Sequence, residues 1–173
     1  GITRGVYNIE MTAAYAAIAN AGTYTKPILY TQVLDHEGNV LLDNSTPDTH
    51  QVIKDSTAAL LTSAMQDVIT KGTGTAARMA NMPVAGKTGT TENSTDLWLS
   101  AYTPYYTASV WGGYDSNKPM ESMNQSWHMT LWKNIMERVH EGLPYKDFTM
   151  PASVQQKTIC TQTGLLATSS CPA

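Results

Sequence analysis

The stretch from Val84 to Tyr114 restricts the fold more than any other. Three runs of strand-forming residues, Val84 to Thr91, Asp96 to Tyr102 and Tyr106 to Tyr114, are separated only by Glu92-Asn93-Ser94-Thr95 and by Thr103-Pro104-Tyr105. A parallel crossover consumes a dozen or more residues, whereas an antiparallel reversal needs very few. Consecutive strands must therefore run antiparallel. In the middle run Leu97, Leu99 and Ala101 alternate with Trp98, Ser100 and Tyr102, which puts an apolar set on one face and predicts a helix layer against it.

Helices to form that layer are legible on either side. Asn8 and Glu10 open a run with Ile9, Ala13, Ala16 and Ala17 and a stop at Gly22, predicting a helix over about Ile9 to Asn20 with Asn8 as its N-cap. Asp55 is expected to cap a second helix, whose Leu60, Leu61, Ala64, Met65, Val68 and Ile69 form one stripe ahead of Gly72. The Gly-Thr stretch from Gly72 to Thr75 then breaks the pattern before a short helical turn near Ala76 to Met79. A last helix, about Ser126 to His140, carries Trp127, Leu131, Ile135 and Val139 and stops at Gly142. Between the first two helices, Ile28 to Leu34 and Val40 to Leu42 flank Asp35-His36-Glu37-Gly38-Asn39, which predicts a β-hairpin. Helices covering an antiparallel sheet, with no internal repeat, make the class α+β.

Composition narrows the functional classes. With 173 residues the chain suffices for one domain or a large piece of one. The net charge is -3 and no Lys/Arg cluster exists, which excludes nucleic acid as the main partner. Charged residues make up only 14%, against roughly 25% in ordinary soluble domains, so Thr, Ser, Asn and Gln supply the polar surface, as suits an extracellular protein. The longest Ala-rich apolar stretch, Ala13 to Ala21, is too short to span a bilayer, and the first residues lack a signal-peptide pattern; an export address is expected outside this chain.

Cys160 and Cys171 are the only cysteines and lie in a Thr/Ser/Gly-rich tail, about 151–173, that can bury little surface. A disulfide between them is expected, contributing about 3 kcal/mol on the chain-entropy account and requiring an oxidising compartment. Their spacing is not C-x-x-C and no His lies nearby. His36 falls in a turn and His50 in a loop, while His128 and His140 sit twelve apart on one helix, about 120° around it. No metal and no cofactor are expected. Trp98, Trp111, Trp127 and Trp132 read as core and sheet residues rather than a sugar platform.

The chemistry is concentrated in Gly86-Lys87-Thr88-Gly89-Thr90-Thr91, where a cation and two hydroxyls project from a strand and Gly89 removes a side chain from a place of close approach. A nucleotide-binding loop also ends in Gly-Lys-Thr, but its first glycine would fall at Asn81, Pro83 interrupts it, and Gly89-Thr90-Thr91 does not start the required helix. The surroundings are more specific. Lys71-Gly72-Thr73-Gly74-Thr75-Ala76-Ala77 precedes the motif, and Asp96-Leu97-Trp98-Leu99, Tyr102-Thr103-Pro104 and Val110-Trp111-Gly112-Gly113-Tyr114-Asp115 follow it. In order and spacing these segments resemble the transpeptidase domain of bifunctional, class A penicillin-binding proteins. The segments Gly5 to Met11, Ala14 to Ala16 and Tyr24-Thr25-Lys26-Pro27 extend that likeness over nearly the whole chain.

The resemblance implies a D,D-transpeptidase of peptidoglycan synthesis, working outside the bacterial cytoplasmic membrane and inhibited by β-lactams. Of the family's three motifs, S-x-x-K, S-x-N and K-T-G, only the last is in place. No serine has a lysine three residues later, and Ser122-Met123-Asn124 follows Lys-Thr-Gly where the family's S-x-N precedes it, so it is read as a decoy. Residues 1–173 are thus expected to form the C-terminal portion of the domain, inactive alone, whose partner is the N-terminal half with its serine and two strands of a five-stranded sheet. The resemblance assigns Lys87 the positive field, Thr88 and Thr90 the terminal carboxylate of a D-Ala-D-Ala stem peptide, Gly89 the close approach, and the Thr90 N–H half of an oxyanion hole. The open edge of the Tyr106 to Tyr114 strand would then invite self-association. A non-catalytic extracellular binding module is the alternative; S-x-x-K and S-x-N in the parent sequence upstream of Gly1 would decide for the enzyme.

Overall fold

The computed structural model of the chain describes residues 5–116, 118–120 and 124–169. In chain order the elements are α1 (Asn8–Ala19), β1 (Thr23–Thr25), β2 (Gln32–Leu34), β3 (Val40–Asp43), β4 (Thr49–Gln51), α2 (Asp55–Thr70), β5 (Ala85–Thr90), β6 (Asp96–Tyr102), β7 (Thr107–Gly113) and α3 (Trp127–Val139). A 3-10 turn at Thr75–Ala77 lies one residue ahead of the short helical turn expected near Ala76 to Met79.

The three long strands form the antiparallel sheet that their short connections demand, in the order β5-β6-β7. Lys87 faces Ser100 across the first pair, and Ser100 faces Ser109 across the second. The Leu99 and Ala101 face of β6 meets Met129, Trp132 and Met136 of α3 and Ile69 of α2, closing one core with Ala77, Met79, Met82 and Val84. Trp132 fixes the register of α3 on the sheet by donating its indole N–H to the Ala108 carbonyl at 3.0 Å. On the opposite face α1 covers β6 and β7, and the Asn8 amide reaches the Ser109 carbonyl at 3.4 Å. Tyr102, fully buried, joins its hydroxyl to Thr62 of α2 at 2.7 Å. Burial pushes that phenol up to about 12, against a weaker opposing pull from the Thr62 hydrogen bond.

Several expectations are corrected. The N-cap of α1 is Tyr7, not Asn8; Glu10 accepts the Tyr7 N–H at 3.0 Å and does the capping. Likewise Lys54 occupies the N-cap position of α2 without a side-chain capping bond, while Asp55 lies in the first turn and accepts the Ser56 N–H at 2.6 Å, where a carboxylate still favours the helix dipole. His50 lies in a strand, not a loop: β4 pairs with β1, and its imidazole rests against Tyr24 at 5.2 Å between ring centroids. The hairpin β2-β3 begins at Gln32 rather than Ile28. The helix stripes are rotated from those expected. On α2 the buried residues are Ala58, Ala59, Thr62 and Ile69, with Leu60 and Leu61 exposed. On α3 they are His128, Met129, Trp132 and Met136, while Leu131, Ile135 and Val139 are exposed.

The two helical histidines are separately accommodated. His140, at the C-terminal end of α3, donates from Nδ1 to the Met136 carbonyl at 2.7 Å and accepts at Nε2 from the Thr103 hydroxyl at 2.8 Å. Thr103 in turn accepts the N–H groups of Tyr105 and Tyr106, so the histidine locks the β6-β7 turn to α3. His128 is buried, and burial holds its imidazole below the ordinary range against a weaker opposing interaction with the Trp98 backbone. Among the described residues no group of three His, Cys, Asp or Glu could hold a metal ion. In the tail Cys160 is buried and its N–H donates to the Leu165 carbonyl at 2.8 Å, beside the Ile159–Leu166 bridge. Cys171 and Ser122 lie outside the described residues.

Candidate active site

Among the described residues β5 is an edge strand, hydrogen-bonded to β6 on one side only. Residues directly opposite across an antiparallel pair share a face, so Lys87 and Gly89 project with Ser100 and Trp98, and Thr88 and Thr90 with Leu99 and Leu97. The motif therefore sends its cation and its hydroxyls to opposite faces of a strand whose free edge lies between them. A groove of about 630 Å³ follows that edge, bounded by Lys87 to Glu92, by Trp98 and Ser100 of β6, and by Val6, Met11 and Tyr15.

Each site residue has a defined setting. Lys87 is exposed and its Nζ donates to the Thr88 carbonyl at 2.8 Å. The Thr88 hydroxyl lies 2.6 Å from that of Thr73, which ties β5 to the Gly-Thr stretch preceding it. Thr90 is exposed. No local pattern in the sequence marks Thr73, Met11 or Tyr15 as site residues; the contact of Thr73 with Thr88, fifteen residues away, depends on the fold.

The glycines have steric reasons. A Cβ on Gly86 would sit 2.4 Å from the Ala101 Cβ and 2.7 Å from the Ala101 Cα and the Ser100 carbonyl oxygen. Only glycine lets β5 approach the middle strand there, so Gly86 sets the seat of the motif. At Gly89 a Cβ would come 3.2 Å from that of Trp98, a tighter fit than usual but not a prohibitive one.

The β5-β6 connection is braced by Asp96. Its Oδ1 accepts the Trp111 indole N–H at 2.9 Å, and its Oδ2 accepts the hydroxyls of Thr91 at 3.0 Å and Thr95 at 3.2 Å. The Asp96 N–H donates back to the Thr91 hydroxyl at 2.8 Å. Trp98 and Trp111 lie against one another at 6.4 Å between centroids. Asp96, which flanks the motif in sequence, thus uses both carboxylate oxygens to hold the turn.

Comparison with known proteins accords with this geometry. Residues 1–137 match the family described as the penicillin binding protein transpeptidase domain. The chain is 34% identical over 161 residues to penicillin-binding protein 1A of Clostridium perfringens, covering 93% of this chain and 19% of that protein. With penicillin-binding protein 1A of Clostridium botulinum it is 38% identical over 166 residues, covering 95% and 20%. The solved structure of the PonA1 protein from Mycobacterium tuberculosis in complex with penicillin V superposes with a TM-score of 0.73 at 29% identity, over 85% of this chain and 42% of that one. The chain spans about a fifth of the length of the curated relatives it matches. Family match, relatives and sheet geometry agree, and the chain belongs to the penicillin-binding protein transpeptidase domain family.

Proposed function

We propose that the chain is the C-terminal, Lys-Thr-Gly-bearing portion of a peptidoglycan D,D-transpeptidase acting outside the cytoplasmic membrane, with residues 151–173 as its Cys-containing tail. The observation that carries this reading is the free edge of β5, with Lys87, Thr88, Gly89 and Thr90 along one groove. An extended stem peptide adds to such an edge as a further strand, its backbone hydrogen-bonding to β5. Lys87 supplies the positive field, and the Thr88 and Thr90 hydroxyls bind the terminal carboxylate of D-Ala-D-Ala. A serine from the N-terminal half of the domain attacks the penultimate carbonyl, and the Thr90 N–H helps hold the charge that develops on its oxygen. D-Ala leaves, and the amine of a second stem peptide takes the acyl group from the serine. β-Lactams imitate the donor and acylate the same serine; the PonA1 protein from Mycobacterium tuberculosis has been solved in complex with penicillin V.

The decisive experiment is covalent labelling of the reassembled whole domain by fluorescent penicillin. Lys87→Ala is expected to slow labelling by about 10²-fold without disturbing assembly, because the exposed Lys87 side chain binds charge and supports no core. An unchanged rate would refute the role assigned to Lys87.

Two further properties belong to this proposal. The outer edge of β7 carries neither lysine nor proline, and among the described residues no strand pairs with it; the isolated chain is expected to self-associate there. A strictly monomeric mass by light scattering at high concentration would contradict this. Cys160 and Cys171 are proposed to be joined, so the intact mass of oxidised protein should rise by two hydrogens on reduction. Two alkylatable thiols before reduction would rule the bond out.

A further inference from the structure

Among the described residues bordering the groove along β5, Lys87 and Glu92 are the charged ones. Lys87 lies on β5 and Glu92 two residues beyond its end, five positions along the chain; the Lys87 Nζ donates to the Thr88 carbonyl at 2.8 Å rather than to Glu92. The groove is therefore polarised, a cation at one end and a carboxylate at the other. Glu92 is exposed, and among the described residues no ion pair engages its carboxylate. The neighbouring Asp96 differs in this respect, since Thr91, Thr95 and Trp111 occupy both of its oxygens.

The backbone that presents Glu92 is held under constraint. Asn93 and Ser94 follow it with φ of 57° and 53°, two consecutive non-glycine residues in the left-handed region, which persists only where the surroundings enforce it. Asp96 enforces it from one side and the Met120 N–H, on the Ser94 carbonyl at 3.2 Å, from the other.

Resting on the transpeptidase reading, we propose that Glu92 recognises the acceptor: its carboxylate attracts and positions the amine of the second stem peptide, as Lys87 does the carboxylate of the donor. The amine arrives as an ammonium group, which the Glu92 charge holds beside the acyl-serine. After one proton passes to solvent, the amine nitrogen bonds to the acyl carbon and the ester bond to the serine oxygen breaks. The second amine proton goes to that oxygen, regenerating the hydroxyl. Glu92 thereby favours transfer to an amine over hydrolysis by water, which has no charge for it to grip.

The test uses the parent protein with its whole transpeptidase domain, a D-alanyl thioester as acyl donor and glycinamide as acceptor. The ratio of aminolysis to hydrolysis products is measured at sub-saturating amine. Because both products come from one acyl-enzyme, the ratio does not depend on how fast or in what amount that species forms. Glu92→Gln is expected to lower the ratio about fivefold, the size of one partly exposed ion pair. Glu92→Asp should restore part of it, and high salt should bring the unmodified protein toward the variant. An unchanged ratio in Glu92→Gln, with acyl-enzyme still forming, overturns the acceptor assignment alone. Failure of the unmodified parent to be acylated by fluorescent penicillin overturns the transpeptidase reading and this proposal with it.

Discussion

Incubated alone with fluorescent penicillin, the chain is expected to acquire no covalent label, however well the Lys87 strand is formed. A stable adduct needs a serine activated by a neighbouring base, and no serine here is followed three residues later by lysine. The nearest rival is Ser100, which borders the groove and faces Lys87 across the strand pair. It is buried and accepts the Ser109 hydroxyl at 2.9 Å, and Lys87, which faces it, directs its Nζ to the Thr88 carbonyl. Electrostatics without a nucleophile leave only reversible binding. Adding the N-terminal half of the same domain, in trans or by co-refolding, should restore labelling on that half, because the open edge of β7 and the exposed Leu131, Ile135 and Val139 of α3 offer surfaces for reassembly. Label recovered on Ser100 or Ser122 of the isolated chain would overturn this account.

The same surfaces explain where the sequence misleads. The antiparallel β5-β6-β7 sheet is legible because four and three residues between strands allow no other arrangement. The β1-β4 pair is not, because each strand has three residues and the β2-β3 hairpin separates the partners along the chain. Counting apolar residues selects Leu131, Ile135 and Val139 as the inner stripe of α3, yet the residues that meet the sheet are His128, Met129, Trp132 and Met136. Both stripes are real: one faces this chain's core, and the other remains available to a partner. A period of 3.6 finds amphipathic faces but does not rank them when a helix has two. At the site the cation and hydroxyls of the motif are readable directly, whereas the Thr73–Thr88 contact and the bonds from Asp96 to Thr91, Thr95 and Trp111 depend on the completed turn.

Replacement of Trp132 should produce the largest loss of stability among single core substitutions, because this one side chain both fills the core and fixes how α3 lies on the sheet. It is 1% exposed and packs with Leu99, Ala101, Met129 and Met136. Trp132→Ala is expected to cost about 3–5 kcal/mol, from the transfer of a large aromatic and the cavity it leaves. The Ala108 carbonyl also loses its indole partner, at a further cost set by whether water can reach it. Trp132→Phe separates the contributions: most of the volume stays and the hydrogen bond goes, so about 1 kcal/mol should be lost through the bond itself, plus a smaller cavity term. Urea unfolding followed by circular dichroism would read both variants, with the midpoint falling and the slope unchanged if only the folded state is affected. Total stability of a domain this size is about 5–15 kcal/mol, so the alanine variant could be largely unfolded at 37 °C. Trp132 borders none of the groove; in the reassembled domain its replacement should therefore reduce penicillin labelling only in proportion to the fraction unfolded. Loss of labelling at temperatures where the variant is fully folded would mean that α3 positions β5 through the middle strand as well as supporting it.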